Sequence, residues 1–209
     1  MIDILLIALA MSLLYMSIAN RIITYLRILV FQGFILFGTI YLSLTNVSTT
    51  NLLLIMLETI VFKAIAVPWF MSYIIKRNKI TREAEPYLPN FVSLIIVTLI
   101  IVSTIILSSS IKDENLDKTY FVVALSTLFT GLYLIVSRKK IITHVVGYLV
   151  IENGVFILSL AVGNEMPMLV NLGIMLDIFA SVLILGIFFN KIGDVIQDPD
   201  VNLLRNLKD

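Results

Sequence analysis

Long apolar segments are the feature that most constrains how this chain can fold. Its 209 residues contain repeated runs of about 20 mostly apolar residues, the length that spans the hydrocarbon core of a bilayer. Hydrophobic residues make up 59% of the chain and charged residues only 14%, whereas soluble domains carry about 25% charged residues. The sequence therefore predicts an all-α fold, a polytopic membrane helix bundle.

Seven membrane-spanning helices joined by short connections are predicted. The expected spans are 2–19, 22–44, 51–75, 88–111, 119–137, 141–163 and 167–190. Residues 1–190 form one predicted transmembrane domain, and residues 191–209 form a short cytoplasmic tail. The first apolar run has Asp3 where a cleavable signal peptide carries basic residues, so we expect this run to be a span.

The basic residues predict an orientation, because Lys and Arg concentrate at the cytoplasmic ends of membrane helices. One set of span ends carries 12 Lys and Arg residues: Arg21, Arg27, Lys76, Arg77, Lys79, Arg82, Arg138, Lys139, Lys140, Lys191, Arg205 and Lys208. The opposite ends carry two, Lys112 and Lys118. We therefore expect the N-terminus outside and the C-terminus in the cytoplasm.

Spans 1–3 and 5–7 resemble each other weakly. Aligning "LVFQGFILFG" with "LVIENGVFIL" places Gly33 opposite Gly154, an offset of 121 residues. Aligning "MLETIVFKAIAV" with "MLDIFASVLILG" places Glu58 opposite Asp177, an offset of 119 residues. The nearly shared register favours a parallel repeat about an axis along the membrane normal, as in some transporters. Chance similarity between apolar segments is the alternative.

Four charged residues lie inside the predicted spans: Glu58, Lys63, Glu152 and Asp177. A charged side chain at the bilayer centre costs roughly 2.5–3.5 kcal/mol on insertion scales, so these groups must be paired, protonated or hydrated. A low-dielectric environment brings proton exchange by carboxyl and amine groups closer to neutral pH. We therefore predict that these four residues form a mid-membrane proton relay. His144 is a further candidate, at the cytoplasmic end of the relay.

A fixed ion pair that holds the bundle together is the alternative interpretation. For Lys63 the candidate partners are Glu58 and Asp177. For Glu152 a fixed pair is less expected, because spans 6 and 7 contain no basic residue at its depth. Glu58 and Lys63 are five residues apart, which in an α-helix points them toward different neighbours.

Several function classes are excluded by residue content. The chain contains no cysteine and one histidine, which rules out disulfides, thiolate-bound iron–sulfur clusters and paired histidine ligands to haem. It has no metal-ligand cluster, nucleophile with an adjacent base, or phosphate-binding loop. We expect no cofactor, no metal site and no catalytic residues in this chain.

The pattern "GYLVIENGVFILSL" followed by "MLVNLGIMLDIFASVLILGIF" resembles component E of hydrogenase four, a membrane subunit of complex I-like [NiFe]-hydrogenases. The same region resembles the K subunit of complex I and the C subunit of Mrp-type cation/proton antiporters. In the K subunit a glutamate on each of the last two helices contributes to a polar axis. The resemblance places the glutamate of the last helix on Asp177. At the position of the other glutamate this chain has Leu149, and Glu152 follows three residues later on a similar helix face.

The resemblance implies a proton-translocating, connecting subunit in a prokaryotic inner membrane. Its neighbours would be antiporter-like and other membrane subunits, with a hydrogenase-type peripheral arm on the cytoplasmic side and no nucleic acid. Two alternatives remain open. The chain could belong to an Mrp-type antiporter, or it could be a non-conducting scaffold whose charges are locked in ion pairs.

Overall fold

Six helices make up the part of the chain that the computed structural model describes, which is residues 1–43, 58–77, 86–112, 116–161 and 186. The helices are α1 (Ile2–Ile18), α2 (Ile22–Ser43), α3 (a π-helical segment Glu58–Ala66 that continues as the α-helix Val67–Arg77), α4 (Asn90–Ser110), α5 (Lys118–Ser137) and α6 (Ile141–Ala161). Within these ranges no residue belongs to a β-strand, and an isolated antiparallel bridge joins Pro86 and Arg138.

The all-helical prediction is confirmed for the described ranges, and five helices begin and end within two residues of the predicted spans. Four of them are long and apolar enough to cross a membrane: α2 over Ile22–Leu42, α4, α5 and α6. The predicted seventh span lies outside the described residues except for Gly186, which packs against Phe70 and Ile74 of α3. The number of spans, the orientation and the repeat stay predictions.

The first half of α3 is wound as a π-helix rather than an α-helix. Pro68, just after this segment, has no N–H to donate, so the carbonyl one turn before it loses its usual partner. A π-helix forms hydrogen bonds between residues five apart. The α-helical geometry assumed for Glu58 and Lys63 is therefore not the one observed, and the side chain of Glu58 lies outside the described part of the chain.

The tightest contact in the described bundle joins α5 to α6, where glycines let the two backbones touch. A Cβ atom built on Gly131 would lie 2.7 Å from the carbonyl oxygen of Gly147, and one on Gly147 would lie 2.9 Å from that of Gly131. A Cβ on Gly154 would lie 2.8 Å from the amide nitrogen of Leu128. Small residues at such contacts are typical of membrane helices.

The buried apolar side chains form two clusters at opposite ends of the bundle. One includes Leu13, Met16, Ile22, Leu29, Leu134, Val146 and Val150. The other includes Leu6, Leu9, Ile35, Leu36, Ala124, Phe156 and Ile157. Large apolar side chains also cover the outer surface, such as Phe91 and Val136, which are 72% and 78% exposed. An apolar exterior is expected of helices that face lipid.

We predict that Gly131→Ala destabilises the protein by roughly 1–3 kcal/mol, because the added methyl group overlaps backbone atoms that cannot move aside. Gly38→Ala is the matched control, since its Cβ would meet the flexible side chain of Leu5 at 3.2 Å. Thermal unfolding of the purified protein in detergent measures both effects. Equal Tm values for the two variants would contradict the close α5–α6 contact.

Candidate functional site

A buried ion pair lies at mid-length in the bundle. The Nζ atom of Lys63 is 2.6 Å from Oε1 of Glu152, and the two side chains are only 7% and 9% exposed. The ammonium group also lies 4.6 Å from the centroid of the Phe156 ring, within the range of a cation–π contact. The pair joins α3 to α6, so the charges of two different helices neutralise each other within the apolar interior.

The position of Lys63 depends on close contact between α2 and α3. A Cβ built on Gly33 would lie 3.0 Å from the backbone of Ala64, the residue that follows Lys63. The missing side chain at Gly33 thus lets α3 approach α2 closely at this level. The long Lys63 side chain spans the remaining distance to Glu152 on α6, which also packs against α2.

A chain of side-chain hydrogen bonds runs beside the ion pair. Asn153, next to Glu152, donates from Nδ2 to Oε1 of Gln32 (3.2 Å). Gln32 donates from Nε2 to the hydroxyl of Ser12 (2.9 Å), which in turn donates to the carbonyl of Leu9 (2.6 Å). All these side chains are at most 6% exposed. The chain connects α6, α2 and α1 through the interior.

The ion pair and this hydrogen-bond chain lie at one level, between the two apolar clusters. We call the set Ser12, Gln32, Lys63, Glu152 and Asn153 the polar layer. Along α1 it separates Leu9 from Leu13, and along α2 it separates Leu29 from Ile35. Four helices therefore contribute polar groups to a single layer at mid-length.

Arg138 holds helices together at the end of the bundle that carries Arg21, Lys139 and Lys140, which we call the basic end. Its side chain is 1% exposed, its Nη2 donates to the carbonyl of Ser17 (2.6 Å), and its guanidinium carbon lies 5.9 Å from the Tyr25 ring centroid. The carbonyl of Arg138 lies 2.8 Å from Nε2 of His144. The loop between α5 and α6 is thereby tied to α1 and to the first turn of α6.

The predicted site residues are not all brought together. Lys63 and Glu152 form the ion pair, whereas His144 lies eight residues before Glu152, about 12 Å along the same helix. Glu58 begins the π-helical segment, and its side chain is outside the described part. Asp177 lies outside the described residues. The expectation that Glu152 lacks a basic partner is wrong, because the partner comes from α3, a helix distant in sequence.

Ser12, Gln32 and Asn153 are the members of the polar layer that sequence reasoning missed. None of them carries a charge, so none stood out in the apolar runs. A signal was present, because the alignment that pairs Gly33 with Gly154 also pairs Gln32 with Asn153, at the same offset of 121 residues. In the described ranges no group of three or more His, Cys, Asp or Glu side chains could hold a metal ion.

We predict that Lys63→Met and Glu152→Leu each destabilise the protein by roughly 3–5 kcal/mol, because each leaves an unpaired charge in the interior. The double variant should recover most of this loss, since replacing both charges by apolar groups is often neutral. Chemical unfolding of the three variants in detergent gives the coupling free energy. Strictly additive effects would contradict a direct Lys63–Glu152 interaction.

Comparisons with known proteins give two kinds of relative. An uncharacterized protein of Mycobacterium tuberculosis is 22% identical over 186 residues, which cover 88% of this chain and 84% of that protein. Hydrogenase-4 component E of Escherichia coli K12 and that of Shigella flexneri are each 33% identical over 91 residues, 44% of this chain and 42% of theirs. No family model matches the chain, and no solved structure matches it. The chain is thus a helical membrane protein with a partial similarity to hydrogenase-4 component E.

Proposed function

We propose that this chain is a proton-conducting, connecting membrane subunit of a complex I-like assembly of the group 4 [NiFe]-hydrogenase type. The observation that carries the proposal is the Lys63–Glu152 pair, which places two proton-exchanging groups 2.6 Å apart in the apolar interior. The partial similarity to hydrogenase-4 component E supports the kind of complex. Soluble and membrane partners, including antiporter-like subunits and a peripheral arm, would supply the redox chemistry.

Stability alone is a poor explanation for the ion pair. The free energy needed to remove two charges from water often exceeds their mutual attraction, so a buried pair seldom stabilises a fold more than well-packed apolar residues would. The atoms Nζ and Oε1 are at hydrogen-bonding distance. On this proposal a proton passes between Lys63 and Glu152, which is the step that a relay needs.

The relay would extend from this pair in two directions. Glu58 lies five residues before Lys63 in a π-helical segment, and π-helical distortions are frequent at functional sites. Asp177 would receive the proton on the other side, as the resemblance to the K subunit implies. His144, at the basic end of α6, would exchange protons with the cytoplasm.

The parallel repeat receives support from the contacts between the two halves. The bonds Asn153–Gln32 and Arg138–Ser17 each join residues 121 positions apart, the offset of the sequence alignment. Residues that touch their own counterparts lie on the axis that relates two copies. The two aligned glycines make different helix contacts, however, since Gly33 lies against α3 whereas Gly154 lies against α5. On this proposal the two halves share an axis and have diverged in packing.

The scaffold alternative is favoured by one observation, namely that Lys63 and Glu152 already neutralise each other. An Mrp-type antiporter subunit is the other alternative, and its residues would act in the same way. Identification of the subunits that co-purify with this chain separates these assemblies. Hydrogenase subunits support the proposed complex, and an antiporter set without them contradicts it.

We predict that the double variant Lys63→Gln/Glu152→Gln retains assembly and loses at least about tenfold in proton translocation, since two amides can hydrogen-bond but cannot exchange protons in this way. Asp3→Asn, which neutralises an exposed acid at the start of α1, is the control and should pump normally. Proton uptake by vesicles containing the complex measures the rate, and the amount of co-purified complex measures assembly. Unchanged pumping by an assembled double variant would establish the scaffold instead.

A further inference from the structure

The interface between α4 and α5 contains a row of buried hydroxyl groups. We call it the hydroxyl seam, and its members are Ser93 and Thr104 on α4 and Ser126, Thr130, Tyr133 and Ser137 on α5. The hydroxyls of Thr104 and Ser126 are 2.7 Å apart, and the hydroxyl of Tyr133 donates to that of Ser93 at 2.7 Å. Except for Tyr133, each side chain is at most 4% exposed.

The seam is polar even though α4 and α5 are otherwise apolar helices, long enough to span a membrane. The buried residues of α4 are Ser93, Val97, Thr104 and Ser108, so the inner face of this very apolar helix consists mainly of hydroxyl groups. Its outer face carries large apolar side chains such as Phe91 and Leu99. Ser and Thr are frequent where membrane helices pack, so the case for a further role of this face depends on those hydroxyls that have no partner.

The four seam residues of α5 share one face of that helix. The spacings of four, three and four residues between Ser126 and Ser137 keep the four positions within about 60° around the helix axis. Gly131 and Leu128, which contact α6, lie on the opposite face. Ser126 and Tyr133 bond to α4 from either side of Thr130, which places Thr130 on the α4 side as well.

Two of the seam hydroxyls lack a partner among the described residues. The oxygens Oγ1 of Thr130 and Oγ of Ser137 are fully buried and form no hydrogen bond there. Other buried hydroxyls of these helices bond to a carbonyl three or four residues earlier, as Thr104 bonds to Ile101 and Thr127 to Val123. Because buried polar groups are nearly always hydrogen-bonded, the natural partner of these two oxygens is water.

One end of the seam lies near a surface cavity at the basic end of the bundle. The amide of Tyr87 donates to the carbonyl of Ser137 at 3.0 Å. Tyr87 also lines a surface cavity of about 560 Å³ together with Asn20, Arg21 and Asn90. The other end of the seam, at Thr104 and Ser126, lies at mid-length, where α1 packs against both α4 and α5 and carries Ser12 of the polar layer.

We propose that the hydroxyl seam holds a chain of water molecules that leads from the basic surface of the bundle to the level of the polar layer. The role of this water as a proton supply rests on the proposed function, whereas its presence in the seam does not. Water at Thr130 and Ser137 completes the hydrogen bonds of both hydroxyls, and the cavity beside Tyr87 connects this water to the surface.

The absence of cysteine from the chain makes a clean accessibility test possible. Single variants Thr130→Cys and Ser137→Cys, in the assembled complex in vesicles, are treated with a small membrane-impermeant methanethiosulfonate. The controls are Leu132→Cys, which is on the outer face of α5, and Val150→Cys, which is fully buried in the apolar cluster. The reagent attacks the thiolate, which forms only where water reaches the sulfur.

We predict that both seam cysteines react at least about tenfold faster than both controls, and from the basic side of the membrane only. Reaction of Thr130→Cys at the rate of Val150→Cys would overturn the proposal and leave the hydroxyls as packing groups. Reaction from the opposite side would overturn the direction of the path. Because labelling does not require turnover, a hydrated seam in a complex that does not pump would refute the proposed function alone.

Hydroxyl-radical labelling of the unaltered protein provides a second measurement, which does not depend on the folding of any variant. Radicals generated from bound water should modify Tyr133, which lies in the seam, and spare Tyr25, which is fully buried near Arg138. Equal protection of the two tyrosines would overturn the proposal.

Discussion

The free-energy cost of burying charge is the constraint on which this structure depends. Lys63 and Glu152 meet this cost by pairing with each other, and their meeting at 2.6 Å requires α3 and α6 to be held in a fixed relation. Gly33 meets this requirement by letting the backbone of α3 approach α2 at Ala64. One missing side chain on α2 thus determines whether a lysine on α3 can reach its counter-charge on α6.

The same constraint explains why polar groups collect at one level. Asn153 follows Glu152 on α6, and its amide also needs a partner, which Gln32 and then Ser12 provide. Each of these side chains is a hydrogen-bond partner of the next, so the amides of Asn153 and Gln32 are both paired in the apolar interior. Apolar clusters close the layer at both ends, and the tight α5–α6 contact at Gly131 and Gly147 keeps the helix that carries Glu152 in register.

The sequence predicted the features that depend on one segment at a time. Helix ends follow from the length of each apolar run, and the acid of α6 was visible because it interrupts such a run. The partner of Glu152 was not predictable in this way, because it depends on how α3 packs, which no local pattern records. The π-helical winding before Pro68 also escaped prediction, so the α-helical geometry assumed for Glu58 and Lys63 does not apply there. Gln32 could have been found, since the repeat alignment places it opposite Asn153.

On the proposed function, the arrangement of polar and apolar zones bears on how protons would move through the fold. The apolar cluster around Leu6, Leu36 and Phe156 lies at the end opposite the basic residues, where Thr39 and Ser108 are also buried. At the basic end, by contrast, the seam runs from the surface cavity toward mid-length. On the same proposal, protons that enter from the basic end would reach the polar layer, which extends sideways through four helices, as expected of a subunit that connects neighbouring subunits.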